Sequence, residues 1–344
     1  MRKIYICATG YHVLITLVKV LTSNECCDIV LSPQVPQQMD MHKKLVESNI
    51  FENVYYYHQM TDEFNLAHNK LSEKQKGLNI LSVINKKINL IETNYDFEFL
   101  NNKEIFIFND SILIGQYINF KKVKYNIVED GLDCLLQPLF YELHAYKKGI
   151  KGFIKQILGI QIRKYGYSQY VKTIEVNNKI GVKVVSEKKL IEENRKNMFS
   201  KLKESDKSKI LDIFIKEKII FYNDKKTLLL LTQPLFVDGK LKSELSQIEM
   251  YKEMISEYSA YQLVIKPHPR DKIDYKKYFE NCLAIIDSTV PAEVLSFIDA
   301  IDFDLAITAY STSIADLDFV KEKVTFGSDY VINFEKTLNC TKMK

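Results

Sequence analysis

The chain has 344 residues, 46% of them hydrophobic and 27% charged, with 48 Lys and Arg against 44 Asp and Glu for a formal net charge of +4. That length accommodates two cores, and so small a charge excludes an overall basic field of the kind that holds nucleic acid. The cysteines, Cys7, Cys26, Cys27, Cys134, Cys282 and Cys340, show no C-x-x-C spacing and sit mostly in apolar surroundings, which reads as reduced thiols and argues against zinc.

The chain opens on Arg2-Lys3-Ile4-Tyr5-Ile6-Cys7, a strand-like run too short for a signal peptide, and nowhere do enough uncharged apolar residues follow one another to span a bilayer. The expectation is a cytoplasmic protein, at most peripheral at the inner face of the plasma membrane. Apolar runs predict strands over 3–8, 28–32, 53–57, 104–108 and 125–128, with helical periodicity over 11–21 and 78–91 between them. Such βαβ alternation implies a parallel sheet. The stretch 143–174 has no acidic residue but carries Lys147, Lys148, Lys151, Lys155, Arg163, Lys164 and Lys172. It could lie on anionic lipid, an acidic polysaccharide or a lipid-linked acceptor, while a solvated helical face is the commoner meaning of such a charge run.

Residues 186–217 are charged and helix-favouring, and the domain boundary is expected there, giving domains 1–185 and 186–344. From Lys226 the pattern restarts, with strands predicted over 227–232, 262–265, 283–286, 304–308 and 323–326 and helices over 246–258 and 291–298. Two Rossmann-like halves follow, an α/β architecture.

Four loops after predicted strands carry candidate chemistry. Glu129-Asp130-Gly131 places two carboxylates before a glycine suited to a sharp turn, and adjacent acids raise one another's pKa. Gln233-Pro234 leads to Asp238-Gly239 at the start of the second half, where Asp238 is either a turn residue or a site acid. Lys266-Pro267-His268-Pro269-Arg270 ends a strand against two prolines, so the imidazole is held on a short stiff loop beside two cations, a setting for an anion such as phosphate. The cations lower the pKa of His268 unless an anion is bound. Ser311-Thr312-Ser313 follows a strand and is expected to open a helix, where hydroxyls and free N–H groups receive a phosphate; an ordinary cap is the alternative. Gly10, in Thr9-Gly10-Tyr11-His12 after the first strand, is a further cleft candidate, while His12 itself carries no signal. Asp302-Phe303-Asp304 and Asp316-Leu317-Asp318 have D-x-D form but fall at element starts, so metal is not implied. No G-x-G-x-x-G or Walker loop is present.

The acidic E-D-G turn, the K-P-H-P-R loop and the Ser/Thr set, in that order, resemble the bacterial sialyltransferases, most closely glycosyltransferase family 52. The resemblance implies a GT-B-like fold of two Rossmann-type domains facing a central cleft, the first on the acceptor side and the second binding the nucleotide. It implies transfer of sialic acid from CMP-sialic acid to a galactoside of a lipooligosaccharide or capsule, with inversion and without metal or other cofactor. It makes His268 the group at the CMP phosphate, with Lys266, Pro267, Pro269, Arg270, Ser311, Thr312 and Ser313 around it. For the base it is divided between Asp238, slightly favoured, and Asp130; Gly10, Glu129, Gly131 and Gln233 would line the cleft.

Two other readings stay open. One keeps the architecture but changes the donor to a UDP-hexose or CDP-glycerol; the other is a non-catalytic protein docking on glycan or membrane through 143–174. The oligomeric state, a homodimer among the options, is open as well.

Overall fold

Short apolar runs become the strands of two sheets in which every pair is parallel. In the computed structural model, the described residues are 1–23, 25–73, 80–130, 168–180, 182, 189–216, 219–222, 224–298 and 303–341. The chain divides into two compact units, Met1–Asp206 and Lys207–Lys344.

Unit 1 carries β1 (Arg2–Cys7), β2 (Cys27–Leu31), β3 (Asn53–Tyr56), β4 (Lys103–Ile107), β5 (Tyr125–Val128), β6 (Val171–Val176) and β7 (Leu190–Glu192), ordered β3-β2-β1-β4-β5-β6-β7. All are paired in parallel. Buried on both faces, the central strands read as nearly continuous apolar sequence: Ile4, Ile6, Ile105, Ile107 and Ile127 are at most 1% exposed. The crossover helices are α1 (Gly10–Ser23), α2 (Gln38–Ser48), α3 (Asp62–Glu73), α4 (Ile80–Asn94) and α5 (Leu113–Phe120), followed after β7 by α6 (Arg195–Phe199); α7 (Glu204–Phe214) straddles the division at Asp206. Strand order reverses between β1 and β4, so the loops leaving those strands flank the place where open α/β sheets take ligands.

The division after Asp206 falls inside the stretch 186–217 where the boundary was expected, and beyond its 185/186 start. Residues 190–192 form β7, which pairs with β6 and completes the first sheet, so unit 1 runs on to Asp206. Charge hid these strands. Glu175 on β6 is buried because Lys19 Nζ reaches it at 2.6 Å and Arg195 Nη1 at 2.7 Å, while Lys19 also holds Glu193 at 2.9 Å. The basic residues at 143–167 and Gly131 lie outside the described residues.

Unit 2 carries β8 (Thr227–Leu231), β9 (Gln262–Lys266), β10 (Ala284–Ile285), β11 (Phe303–Thr308) and β12 (Val320–Thr325), ordered β10-β9-β8-β11-β12 and again parallel throughout. Helices α8 (Glu244–Ile255) and α9 (Ser328–Thr341) accompany it. Leu228, Leu230, Ile265, Leu305 and Ile307 meet Met250, Tyr251 and Met254 of α8 in its core. Two predicted helices are corrected: Ala292–Phe297 and Thr312–Asp316 are short 3-10 segments. Among the described residues no helix is long and apolar enough to cross a membrane.

Candidate active site

In unit 1 the site is built where β1, β4 and β5 end. Thr9 caps α1, its Oγ1 accepting the His12 N–H at 3.2 Å, and Gly10 is buried as the first residue of that helix. His12 is fully buried, stacked on Phe108 with ring centroids 4.3 Å apart and planes 9° from parallel. Its Nδ1 accepts the Ala8 N–H at 3.0 Å, which places the proton of the neutral ring on Nε2. That Nε2–H donates to Asp130 Oδ1. The Asn109 amide, from the loop after β4, donates to Asp130 Oδ2 at 3.3 Å. Asp130 keeps 18% of its side chain exposed.

Glu129 points elsewhere. It is buried and accepts the Asn177 N–H, and burial pushes its pKa up against the pull of that N–H and of Arg195. The expectation that Glu129 and Asp130 tune one another is therefore corrected: consecutive residues at a strand end face opposite sides, and the acid that acts on Glu129 is Glu175. His12 and Asn109 were not singled out as site residues from sequence. The only signal for His12 was its position five residues beyond the end of β1 at Cys7.

In unit 2 the loops after β8, β9 and β11 come together. Gln233 spans two of them: its N–H donates to the Tyr251 hydroxyl at 2.7 Å and its Oε1 accepts the Tyr310 N–H at 2.9 Å. The turn after it closes through Asp238 N–H to Pro234 O at 2.8 Å and Gly239 N–H to Phe236 O at 2.9 Å. Gly239 then takes φ +65, a left-handed conformation that costs glycine little. Both oxygens of Asp238 are held by Arg270, Nη1 to Oδ1 at 2.6 Å and Nη2 to Oδ2 at 3.1 Å. This fork brings the Asp238 pKa below the usual carboxylate value.

The His-Pro loop is clamped from beneath. The His268 N–H donates to Thr232 Oγ1 at 3.3 Å, and that hydroxyl donates to buried Asp271 at 2.6 Å. Asp271 also accepts from the Tyr275 hydroxyl at 2.6 Å and from Gln247 Nε2 at 3.1 Å. Asp271 and Gln247 were missed as supports of the loop, since nothing in a lone Asp or Gln marks it as buried. His268 Nδ1 accepts the Arg270 N–H at 3.1 Å, so the neutral ring carries its proton on Nε2, which has no hydrogen-bond partner among the described residues. Burial, then Arg270 and Lys266, lower the His268 pKa, as the sequence led one to expect for the cations.

Lys266 is reassigned. Its ammonium is buried and donates to the carbonyls of Pro267 at 2.6 Å and Ser288 at 3.0 Å, so it anchors the loop instead of presenting its charge to a ligand. Burial brings its pKa down to about 8. Ser311 and Ser313 share a hydrogen bond at 2.7 Å, and the Ser311 N–H donates to Thr308 Oγ1 at 3.3 Å. Because the segment is a five-residue 3-10 turn, the helix-dipole argument for a phosphate there does not hold. The Thr312 side chain lies outside the described residues. Asp304, of the discounted D-x-D pair, accepts the Thr227 N–H at 2.8 Å and pairs with Lys321 at 3.0 Å.

Residues 39–328 match glycosyltransferase family 52. An uncharacterised protein of Haemophilus influenzae is 33% identical over 225 residues, which are 65% of this chain and 68% of that protein. In fold the chain is similar to an alpha/beta-galactoside alpha-2,3-sialyltransferase of Photobacterium phosphoreum, with TM-score 0.57 and 15% identity over 98% of this chain and 95% of the other. The GT-B domain of a Photobacterium damselae sialyltransferase matches with TM-score 0.53 and 12% identity, covering 98% and 96% of the two chains. A UDP-GlcNAc 2-epimerase of Neisseria meningitidis matches with TM-score 0.54 and 11% identity, covering 100% and 92%. The α/β, GT-B-like class expected from the sequence agrees with these folds and with the two parallel sheets. With the family match running through the β5, β8, β9 and β11 loops, the chain belongs to glycosyltransferase family 52 and is a glycosyltransferase.

Proposed function

We propose that this glycosyltransferase moves sialic acid from CMP-sialic acid to a terminal galactoside of a bacterial surface glycan, with inversion and without a metal. The observation that carries the reading is the His268 loop: an imidazole kept neutral, its Nε2–H uncommitted among the described residues, beside the guanidinium of Arg270 at the ligand edge of a parallel sheet. Such a donor suits a phosphate that gains charge as its ester bond breaks. With Nδ1 already accepting a main-chain N–H, the ring acts as a hydrogen-bond donor to the leaving group more readily than as a full acid.

The acceptor hydroxyl needs a carboxylate to take its proton as the new bond forms. Asp130 fits this role better than Asp238. Both oxygens of Asp238 are taken by Arg270, whereas among the described residues those of Asp130 meet the neutral donors His12 and Asn109. In the step, the acceptor oxygen bonds to the anomeric carbon as its proton passes to Asp130. The bond from that carbon to the phosphate oxygen breaks with its electron pair, which leaves on CMP; His268 and Arg270 are the groups assigned to that phosphate. Displacement from the face opposite the phosphate inverts the centre. The galactoside acceptor is supported by the Photobacterium phosphoreum enzyme that shares the fold, an alpha/beta-galactoside alpha-2,3-sialyltransferase.

The test is turnover with CMP-sialic acid and lactose, read as CMP release and sialyl-lactose formation, with and without EDTA, beside UDP-hexose and CDP-glycerol donors. Turnover of CMP-sialic acid that survives EDTA is expected. Turnover confined to a UDP- or CDP-linked donor would replace the donor assignment.

A further inference from the structure

The buried imidazole of unit 1 has a use that packing alone does not require. A core histidine needs partners for its ring nitrogens, and main-chain groups supply most of them. His12 takes one such partner, the Ala8 N–H on Nδ1, but commits Nε2–H to a carboxylate that is still in part open to solvent. That carboxylate stands beyond β5, beside the loop after β4, at the switch point of the sheet. Phe108 fixes the ring plane by stacking and Thr9 fixes the start of the helix that carries it.

We propose that His12 is a positioning residue for the catalytic base, holding the Asp130 carboxylate by Oδ1 so that a lone pair of Oδ2 meets the acceptor hydroxyl. This inference rests on the reading of Asp130 as the base. Among the described residues Asn109 is the partner of Oδ2, using one lone pair at 3.3 Å and leaving the other for substrate. Two neutral donors orient the carboxylate without neutralising it, which is what a proton acceptor needs and what the Arg270 fork denies to Asp238. The proton stops on Asp130, because His12 Nδ1 is occupied by the Ala8 N–H and the ring has no free site to pass it on. His12 therefore orients the base and is not a relay.

The amides Asn and Gln separate the two contacts of the ring. In His12→Asn the short amide can still accept the Ala8 N–H but cannot reach Asp130; in His12→Gln the longer amide can donate to Asp130. Kinetics with CMP-sialic acid and lactose are measured for both, for Asp130→Asn, and for His12→Asn combined with Asp130→Asn, with thermal melts on all. Expected are a loss of at least about tenfold in kcat for His12→Asn with donor and acceptor KM within about twofold, recovery of most of it in His12→Gln, and no further loss when His12→Asn is added to Asp130→Asn. His12→Phe, which fills the ring volume, replaces His12→Asn if the smaller side chain unfolds the unit. Wild-type kcat in a folded His12→Asn or His12→Phe, or an equal loss on the Asp130→Asn background, overturns the positioning role. Full activity of Asp130→Asn would instead remove the base assignment itself, and the proposal with it.

Discussion

Arg270 and Asp238 grip one another through two parallel hydrogen bonds, 2.6 Å and 3.1 Å long, on the exposed rim of unit 2. One residue expected to meet phosphate and one expected to act as base thus neutralise each other. Asp238→Asn should free the guanidinium for the donor and lower the donor KM, with a fall in kcat smaller than about tenfold, while Asp130→Asn should lower kcat by about 100-fold or more. Arg270→Ala should raise the donor KM. Steady-state kinetics decide, and the opposite ranking of the two acids would return the base to Asp238.

His268→Ala should cost about 100-fold in kcat by loss of a donor at the leaving group, and His268→Gln, which retains an N–H, should recover part of it. The His268 pKa lies below its ordinary value in the folded protein. The unfolded chain therefore binds the proton first as pH falls, and stability contributed at this residue is lost as pH drops through about 6.5 toward the folded value. Melting wild type and His268→Gln between pH 8 and pH 5 should show the wild type losing more stability.

Lys266 supplies a signature at alkaline pH. Its folded pKa is about 8 against an ordinary 10.5, so between those values the unfolded chain holds the extra proton and stability rises with pH. Urea unfolding of wild type and Lys266→Met at pH 7.5 and pH 10 should show the wild type gaining about 2 kcal/mol relative to the variant. An unchanged difference would mean that the ammonium is better solvated than its burial implies.

Gly115, on α5, lies against the turn that presents Asn109. A Cβ there would stand 2.4 Å from the Asp110 main-chain oxygen, and a backbone carbonyl cannot swing aside as a side-chain tip can. Gly115→Ala should destabilise the protein by about 1 to 3 kcal/mol and lower turnover as the Asn109 contact with Asp130 shifts. Denaturant melts and kinetics on the same preparation test both effects.

Strands buried on both faces were legible because burial leaves them apolar from end to end, as in Thr227–Leu231. Val171–Val176 and Leu190–Glu192 were not, since Lys172, Glu175 and Glu192 interrupt the pattern and the cations that compensate Glu175 come from Lys19 and Arg195. The stiffness of the His268 loop was legible for a different reason: prolines constrain their neighbours locally, so Pro267 and Pro269 announce it without tertiary information. His12 and Asp130 meet only through the order of β1, β4 and β5, and no spacing along the chain encodes an encounter across 118 positions. Lys266 failed in the reverse sense, as a cation next to a site that turns inward to hold carbonyls.

The late strand β7 and the Lys19–Glu175–Arg195 cluster carry a practical consequence for dissecting the molecule. A fragment ending at residue 185 would bare the edge of β6 and deprive the buried Glu175 of its guanidinium, while retaining only the Lys19 ammonium against it. Expressed alone, such a fragment should aggregate through that naked strand. One carried through Lys203, ahead of α7, keeps β6 covered by β7 and its buried acid matched by Arg195, and is the version to produce for isotope labelling or crystallisation of the first half.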